Sequence, residues 1–159
     1  MHFYNQISKG YNELYMDEQS KKLSIIKENI KITKEDMLLD VGCGTGISSQ
    51  FNCIVVGLDP SIELLKQNET MNKVMGLAEI LPFRSNSFDF VYAVTSIHNF
   101  DDIRKALLEI KRVGNKNFAF SVLKRSKKFG YIRKTIEKYF TITKEIDEEK
   151  DTIFICETL

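Results

Sequence analysis

Apolar positions at Leu23, Ile26 and Ile30, with charges between them, predict an amphipathic helix over 17–32 with Asp17 at its N-cap. Met37-Leu38-Leu39-Asp40-Val41 is a short apolar run stopped by Gly42, the pattern of a buried strand. Ile54-Val55-Val56-Gly57-Leu58 is a second such run, ending at Asp59-Pro60-Ser61 and passing into a helical stretch, Ile62–Asn68. A short third strand is placed around Val74-Met75-Gly76. Phe88–Val94 is aromatic and β-branched, as strands are. Asp101 then caps a helix whose apolar positions, Ile103, Ala106, Leu107, Ile110 and Val113, recur at three and four. Phe118–Leu123 predicts a fifth strand, and Ile132, Ile136 and Tyr139 mark a further helix. Thr141–Ile146 and Thr152–Cys156 flank the charged turn 147–150 and predict a terminal hairpin.

Strands alternating with helices imply parallel β-α-β units with helices on both sheet faces. The closing hairpin breaks that alternation. The expected fold class is therefore α/β: a Rossmann-like, doubly wound, mostly parallel seven-stranded sheet with a C-terminal antiparallel hairpin. Residues 1–159 read as a single domain, a length able to bury a core. At 43% apolar, 28% charged and net charge +1, the composition lacks the global basic field of a dedicated DNA binder, and no DNA partner is expected. No apolar run approaches the roughly 20 residues of a membrane span, so no membrane association is expected. Cys43, Cys53 and Cys156 form no CxxC pair and suggest no metal site. With no basic or apolar leader at Met1–Asn5, they read as reduced thiols of a cytoplasmic protein.

In open α/β sheets, ligands bind beyond the carboxyl ends of the strands. The Gly42-Cys43-Gly44-Thr45-Gly46 turn falls there, after the first strand, and its amide groups suit a carboxylate or phosphate. Its glycines follow GxGxG rather than the dinucleotide GxGxxG. Asp59 ends the next strand, where an acid accepts from ribose hydroxyls. Loop and acid together suit any adenosine-containing ligand, NAD included.

Three blocks narrow this: LLDVGCGTG, VVGLDPS and GLAEILPFRSNSFDFVYAVTSIHNF. Over roughly residues 35–125 the chain resembles class I S-adenosylmethionine-dependent methyltransferases, specifically the methyltransferase type 11 branch with a ubiquinone/menaquinone-methyltransferase-like core. The resemblance implies S-adenosyl-L-methionine as cofactor and S-adenosyl-L-homocysteine as product. It places Gly42, Cys43 and Gly44 along the aminocarboxypropyl arm, with Asp40 supporting the loop. Asp59 would hold the ribose, Pro60 and Ser61 would start the helix beneath the adenosine, Ala78 and Glu79 would border the adenine, and Thr95 would lie beneath the sulfur. Two departures stand out. Leu77 occupies a position where many relatives carry an Asp that accepts from the adenine amino group. Gly46 and Asp59 also lie closer together than usual by about one helical turn, so the first helix, at most Ile47–Asn52, must be stubby.

Methyl transfer chiefly requires alignment of nucleophile and methyl at about 3 Å, with a base only if the nucleophile arrives protonated. His98, after the fourth strand, is the candidate base; the alternative is that it packs or caps a turn. Asp89 starts its strand, away from the ligand edge, and reads as structural. By the resemblance, residues 1–34 form a short helical segment over the site, with Tyr4 and Tyr11 in its aromatic part. Tyr11 would face the sulfonium through cation–π attraction or simply pack the helix. Lys124, Arg125, Lys127 and Lys128 follow the fifth strand and form either a basic mouth for an anionic acceptor or a solvated turn. The absence of an Asn-Pro-Pro-Tyr block disfavours amide and adenine-amine acceptors. The expected function is methyl transfer to a small molecule or RNA, with a homodimer or partner protein able to supply a missing wall. The alternative is a non-catalytic cofactor-binding subunit that supports a partner enzyme.

Overall fold

The structure, a computed structural model, describes residues 2–47, 50–70 and 72–159, with side chains described from residue 13 onward. The elements in chain order are α1 (His2–Asn29), β1 (Met37–Val41), β2 (Ile54–Asp59), α2 (Ile62–Gln67), β3 (Lys73–Met75), β4 (Phe88–Val94), α3 (Ile103–Val113), β5 (Gly114–Leu123), α4 (Phe129–Tyr139), β6 (Phe140–Asp147) and β7 (Asp151–Thr158). A 3-10 turn at Ile97–Asn99 follows β4.

The seven strands form one sheet in the order β3-β2-β1-β4-β5-β7-β6. The first five pair in parallel, and β7 inserts antiparallel between β5 and β6. This is the expected Rossmann-like sheet with its C-terminal hairpin. The chain winds outward from β1 to β3 and then crosses back to β4, so order reverses between β1 and β4. That reversal opens the crevice at their carboxyl ends.

Both sheet faces are buried, and strand alternation sorts side chains between them. Along β4, Val91 and Ala93 join one core with Ile103, Ala106, Leu107 and Ile110 of α3 and Ile132 and Ile136 of α4. Phe90, Tyr92 and Val94 point the other way, into a core with Ile26 of α1, Ile30 just beyond its end, and Ile153 and Ile155 of β7. Among the described residues no α-helix stands between β1 and β2. Phe51 fills part of that space, its ring 6.2 Å from Phe90 and 5.3 Å from Tyr92, with the Lys27 ammonium 5.0 Å from its centroid. α1 thus carries the cover that a longer first helix would otherwise share.

Four boundaries differ from expectation. α1 is a 28-residue helix that runs through Asp17, so the N-terminal segment is not short and Asp17 caps nothing. Before Asp17, Phe3, Ile7, Tyr11 and Leu14 already recur at three and four with no proline among them, so the helical spacing continues through Asp17 rather than starting at it. α3 is capped by Asp102 rather than Asp101: Asp102 has extended dihedrals and accepts the Lys105 N–H at 2.9 Å. In place of the expected stubby helix, Ile47 is in 3-10 conformation, residues 48–49 lie outside the described residues, and 50–53 are irregular. β5 starts at Gly114, directly on the end of α3, because its exposed residues Asn115 and Lys116 carry no apolar signal. No helix among the described residues is long and apolar enough to cross a membrane.

Candidate functional site

The β1 loop turns on three glycines with positive φ: Gly42 (81°), Gly44 (53°) and Gly46 (88°). A Cβ at Gly42 would lie 2.6 Å from Ser96 Cβ, so any side chain there would collide with the segment after β4. That segment is tied to β1 in turn, since Ser96 Oγ donates to the Val41 carbonyl at 2.9 Å. The amides of Gly42 and Cys43 both donate to the Leu58 carbonyl, at 2.8 and 3.0 Å, clamping the loop to the end of β2.

Asp59, 7% exposed, completes the clamp. Its Oδ2 accepts the Gly44 N–H and its Oδ1 the Ser61 N–H, each at 2.9 Å. A carboxylate has about four acceptor positions, so two remain for hydroxyl donors. Ser61 caps α2, its hydroxyl accepting from Leu64 N at 3.2 Å. Asp40 is fully buried at the end of β1. Asn68, overlooked by motif reasoning, supports the loop from below: its Nδ2 donates to the Gly44 carbonyl at 3.2 Å, and its amide occupies the space a Cβ on Gly46 would need.

The Cys43 side chain turns away from the crevice and packs on Gly57, where an added Cβ would lie 2.7 Å from its Sγ. Burial, reinforced by the Asp40 and Asp59 carboxylates, pushes its thiol up to about 12. It is a neutral packing group whose Sγ accepts from Asn68 Nδ2 at 3.6 Å, while its backbone amide ties the loop to β2.

Two cavities flank the loop. The larger, about 630 Å³, is lined by Gly44, Thr45, Leu64, Thr95, His98 and Tyr15 among others. The smaller, about 180 Å³, is lined by Gly42, Pro60, Leu77, Ala78, Glu79 and Phe100 among others. Asn99 belongs to both walls. The expected site residues therefore divide into two groups, with Asp59 bridging them through Gly44 on one side and Pro60 on the other. Gly44 is open toward the larger cavity, since a Cβ there would meet only Leu64 Cδ1 at 3.8 Å. A ligand can approach the backbone at that point, which fits an aminocarboxypropyl arm. Glu79 also accepts the Asp102 N–H at 3.1 Å and so joins the wall of the smaller cavity to the start of α3. The Tyr11 side chain lies outside the described residues; Tyr15, one turn on, does line the larger cavity.

Thr95 is the strained residue of the site. A β-branched residue at φ 51° is an outlier, costing about 1–3 kcal/mol, and such residues cluster at functional sites. A buried polar network holds it there. Its N–H donates to Ser121 Oγ at 3.0 Å and its hydroxyl donates to Asp151 Oδ2 at 2.8 Å. Lys22 Nζ donates to Thr95 Oγ1 at 3.0 Å and lies 3.3 Å from Asp151 Oδ2, and Ser121 Oγ donates to the same oxygen at 2.7 Å. Lys22 is 2% exposed and Asp151 fully buried. None of Lys22, Ser121 or Asp151 was flagged by motifs. One signal existed: Lys22 stands one turn before Ile26 and Ile30, a charge at a core position of α1.

His98 lines the larger cavity, with its Nδ1 buried and without a hydrogen-bond partner among the described residues. Burial lowers its pKa below 6.5, with Lys128 and Lys22 adding to the shift and Asp151 opposing it. It is neutral at pH 7 and able to accept a proton. Asp89 sits at the far edge, accepting the Met37 N–H at 2.9 Å, a structural role. In the basic run, Lys124 pairs with Asp147 and Lys128 Nζ donates to the His98 carbonyl at 3.1 Å. Arg125 and Lys127 are exposed.

Comparison with known proteins agrees with this arrangement. Residues 39–120 match the family model described as a methyltransferase domain. An uncharacterized protein of Methanocaldococcus jannaschii is 36% identical over 118 residues, covering 70% of this chain and 45% of that protein. The demethylmenaquinone methyltransferase of Renibacterium salmoninarum is 32% identical over 108 residues, covering 63% of this chain and 46% of the enzyme. The chain thus spans about half the length of the curated relatives it matches. Among solved structures, an S-adenosylmethionine-dependent methyltransferase of Thermotoga maritima superposes with a TM-score of 0.74 at 19% identity, over 99% of this chain and 98% of that one. The protein bound to the Haloferax volcanii Trm112 methyltransferase activator gives 0.75 at 15% identity, over 98% and 94%. With fold, glycine loop and family match in agreement, the chain belongs to the methyltransferase domain family, the class I S-adenosylmethionine-dependent methyltransferases.

Proposed function

We propose that this chain transfers a methyl group from S-adenosyl-L-methionine to an acceptor, leaving S-adenosyl-L-homocysteine. The observation that carries this reading is the pair of cavities meeting at a positive-φ glycine loop locked to Asp59. In this reading the cofactor's arm runs along the Gly42–Gly44 backbone, with Asp40 buried behind it. Asp59 receives the ribose hydroxyls, Pro60 and Ser61 lead into α2 beneath the adenosine, and Ala78 and Glu79 border the adenine. Leu77, 50% exposed, gives that edge an apolar wall instead of an acid.

The bound cofactor supplies an activated methyl on a sulfonium, so the protein's work is to align, to desolvate and, for a protonated nucleophile, to take a proton. Thr95 forms the floor at the reacting end. His98, neutral at pH 7 and with Nδ1 unengaged, is the group that takes the proton. Arg125 and Lys127, with their paired neighbours Lys124 and Lys128, give the mouth a positive potential suited to an anionic acceptor, small molecule or RNA. Leu14, Met16 and Leu64 are exposed on the wall side, so a second copy or a partner protein has apolar surface to cover. The reading includes a cytoplasmic setting, in keeping with three free cysteines.

The test is transfer of radiolabelled methyl from S-adenosylmethionine into cell extract separated into RNA, protein and small molecules. Label in RNA or small molecules is expected. Tight cofactor binding with label in no fraction would instead establish a non-catalytic subunit supporting a partner enzyme.

A further inference from the structure

A third cavity, about 220 Å³, lies between α1 and the start of β7 and shares Tyr15 and Thr95 with the larger cofactor-side cavity. Its charged lining is Glu18, Lys22, Arg125, Lys150 and Asp151. It is smaller than the roughly 300–1,000 Å³ of pockets that enclose whole drug-sized ligands, so it suits one end of a small molecule.

Its chemistry centres on one carboxylate. Asp151 Oδ2 is saturated by Thr95, Ser121 and Lys22, whereas Oδ1 is buried with no hydrogen-bond partner among the described residues. A buried carboxylate oxygen without a donor is costly, and buried polar groups are ordinarily satisfied. Lys22 holds the acid in place beside Thr95, and the strained φ of Thr95 brings the cavity to the reacting end of the cofactor crevice. Cations outnumber carboxylates in the lining, so the complementary ligand is neutral or anionic rather than cationic.

We propose that this α1–β7 cavity is the acceptor subsite, taking the N–H- or O–H-bearing end of a small neutral or anionic metabolite, with Asp151 Oδ1 receiving that donor. The assignment rests on the methyl-transfer reading for its purpose, but its physical content is a preference for hydrogen-bond donors. Lys22 and Asp151 are then acceptor-positioning residues that stand apart from the cofactor loop.

Donor preference can be measured with defined probes. Phenol and acetamide carry the donor; anisole and N,N-dimethylacetamide are their capped counterparts. Dissociation constants come from NMR shift titration of the Thr95 and Ser121 amides, with and without S-adenosylhomocysteine. The donors should bind the native protein about tenfold more tightly than their capped counterparts, the worth of one hydrogen bond to a charged group. That preference should shrink in Asp151→Asn and vanish in Lys22→Met/Asp151→Leu, which removes the ion pair as a unit. Circular dichroism checks that both variants fold; if the double variant does not, Asp151→Asn alone decides. Equal binding of donor and capped probes to the native protein, or a preference surviving in the variants, would overturn the subsite. A native protein that shows the preference yet fails to bind S-adenosylmethionine would sink the methyl-transfer reading and leave the donor site standing.

Discussion

At the residue scale, the site's chemistry is set by which polar atoms are already committed. Asp59 spends one acceptor position per oxygen on the loop and α2 and keeps the rest for a ligand. Asp59→Ala therefore loses the clamp and, on the proposed cofactor placement, the ribose contact as well. S-adenosylmethionine affinity should fall by more than the roughly 1 kcal/mol of an ordinary hydrogen bond. A loss within experimental error in calorimetry would remove Asp59 from that role. His98 offers a pH test. Its folded-state pKa is lowered, so the folded protein favours the neutral ring. The stability associated with that preference is present above 6.5 and is lost as pH falls through the lowered value. An NMR titration, with the resonance assigned by His98→Gln, should give a midpoint below 6.5; a midpoint at or above it contradicts the burial argument.

At the scale of elements, legibility followed periodicity. α3 was readable because its apolar positions repeat at three and four, and β1 and β4 because they are short, nearly unbroken apolar runs buried on both faces. The extent of α1 was not, because Asp17 reads as an N-cap although Phe3, Ile7, Tyr11 and Leu14 carry the helical spacing back beyond it. Choosing between Asp101 and Asp102 as the α3 cap was equally beyond pattern reading, since adjacent aspartates differ only in dihedral angles. The cap predicts that Asp102→Ala costs about 1 kcal/mol in urea unfolding and Asp101→Ala almost nothing. Equal effects would contradict the assignment. The Lys22–Asp151 contact joins α1 to β7 across the ends of the chain, a pairing no local pattern reveals. Removing one partner strands a buried charge. Lys22→Met should therefore cost about 3–5 kcal/mol, and adding Asp151→Leu should recover much of it. Strictly additive losses in the double variant would show that the two charges do not act as a pair.

For the whole molecule, the glycine loop and Asp59 were legible because they are local and lie at strand ends, where an open α/β sheet binds ligands. The buried network behind Thr95 was not, because it is assembled by the sheet order that sets β4, β5 and β7 side by side. The crevice arises where the strand order reverses between β1 and β4, and the hairpin brings Asp151 and the α1–β7 cavity to the same edge. What distinguishes a methyltransferase from other adenosine-binding α/β proteins is ligand choice. Isothermal titration of the native chain with S-adenosylmethionine, and separately with NAD, measures that choice directly. The account predicts saturable binding of S-adenosylmethionine and none of NAD. Binding of NAD with no response to S-adenosylmethionine would contradict it.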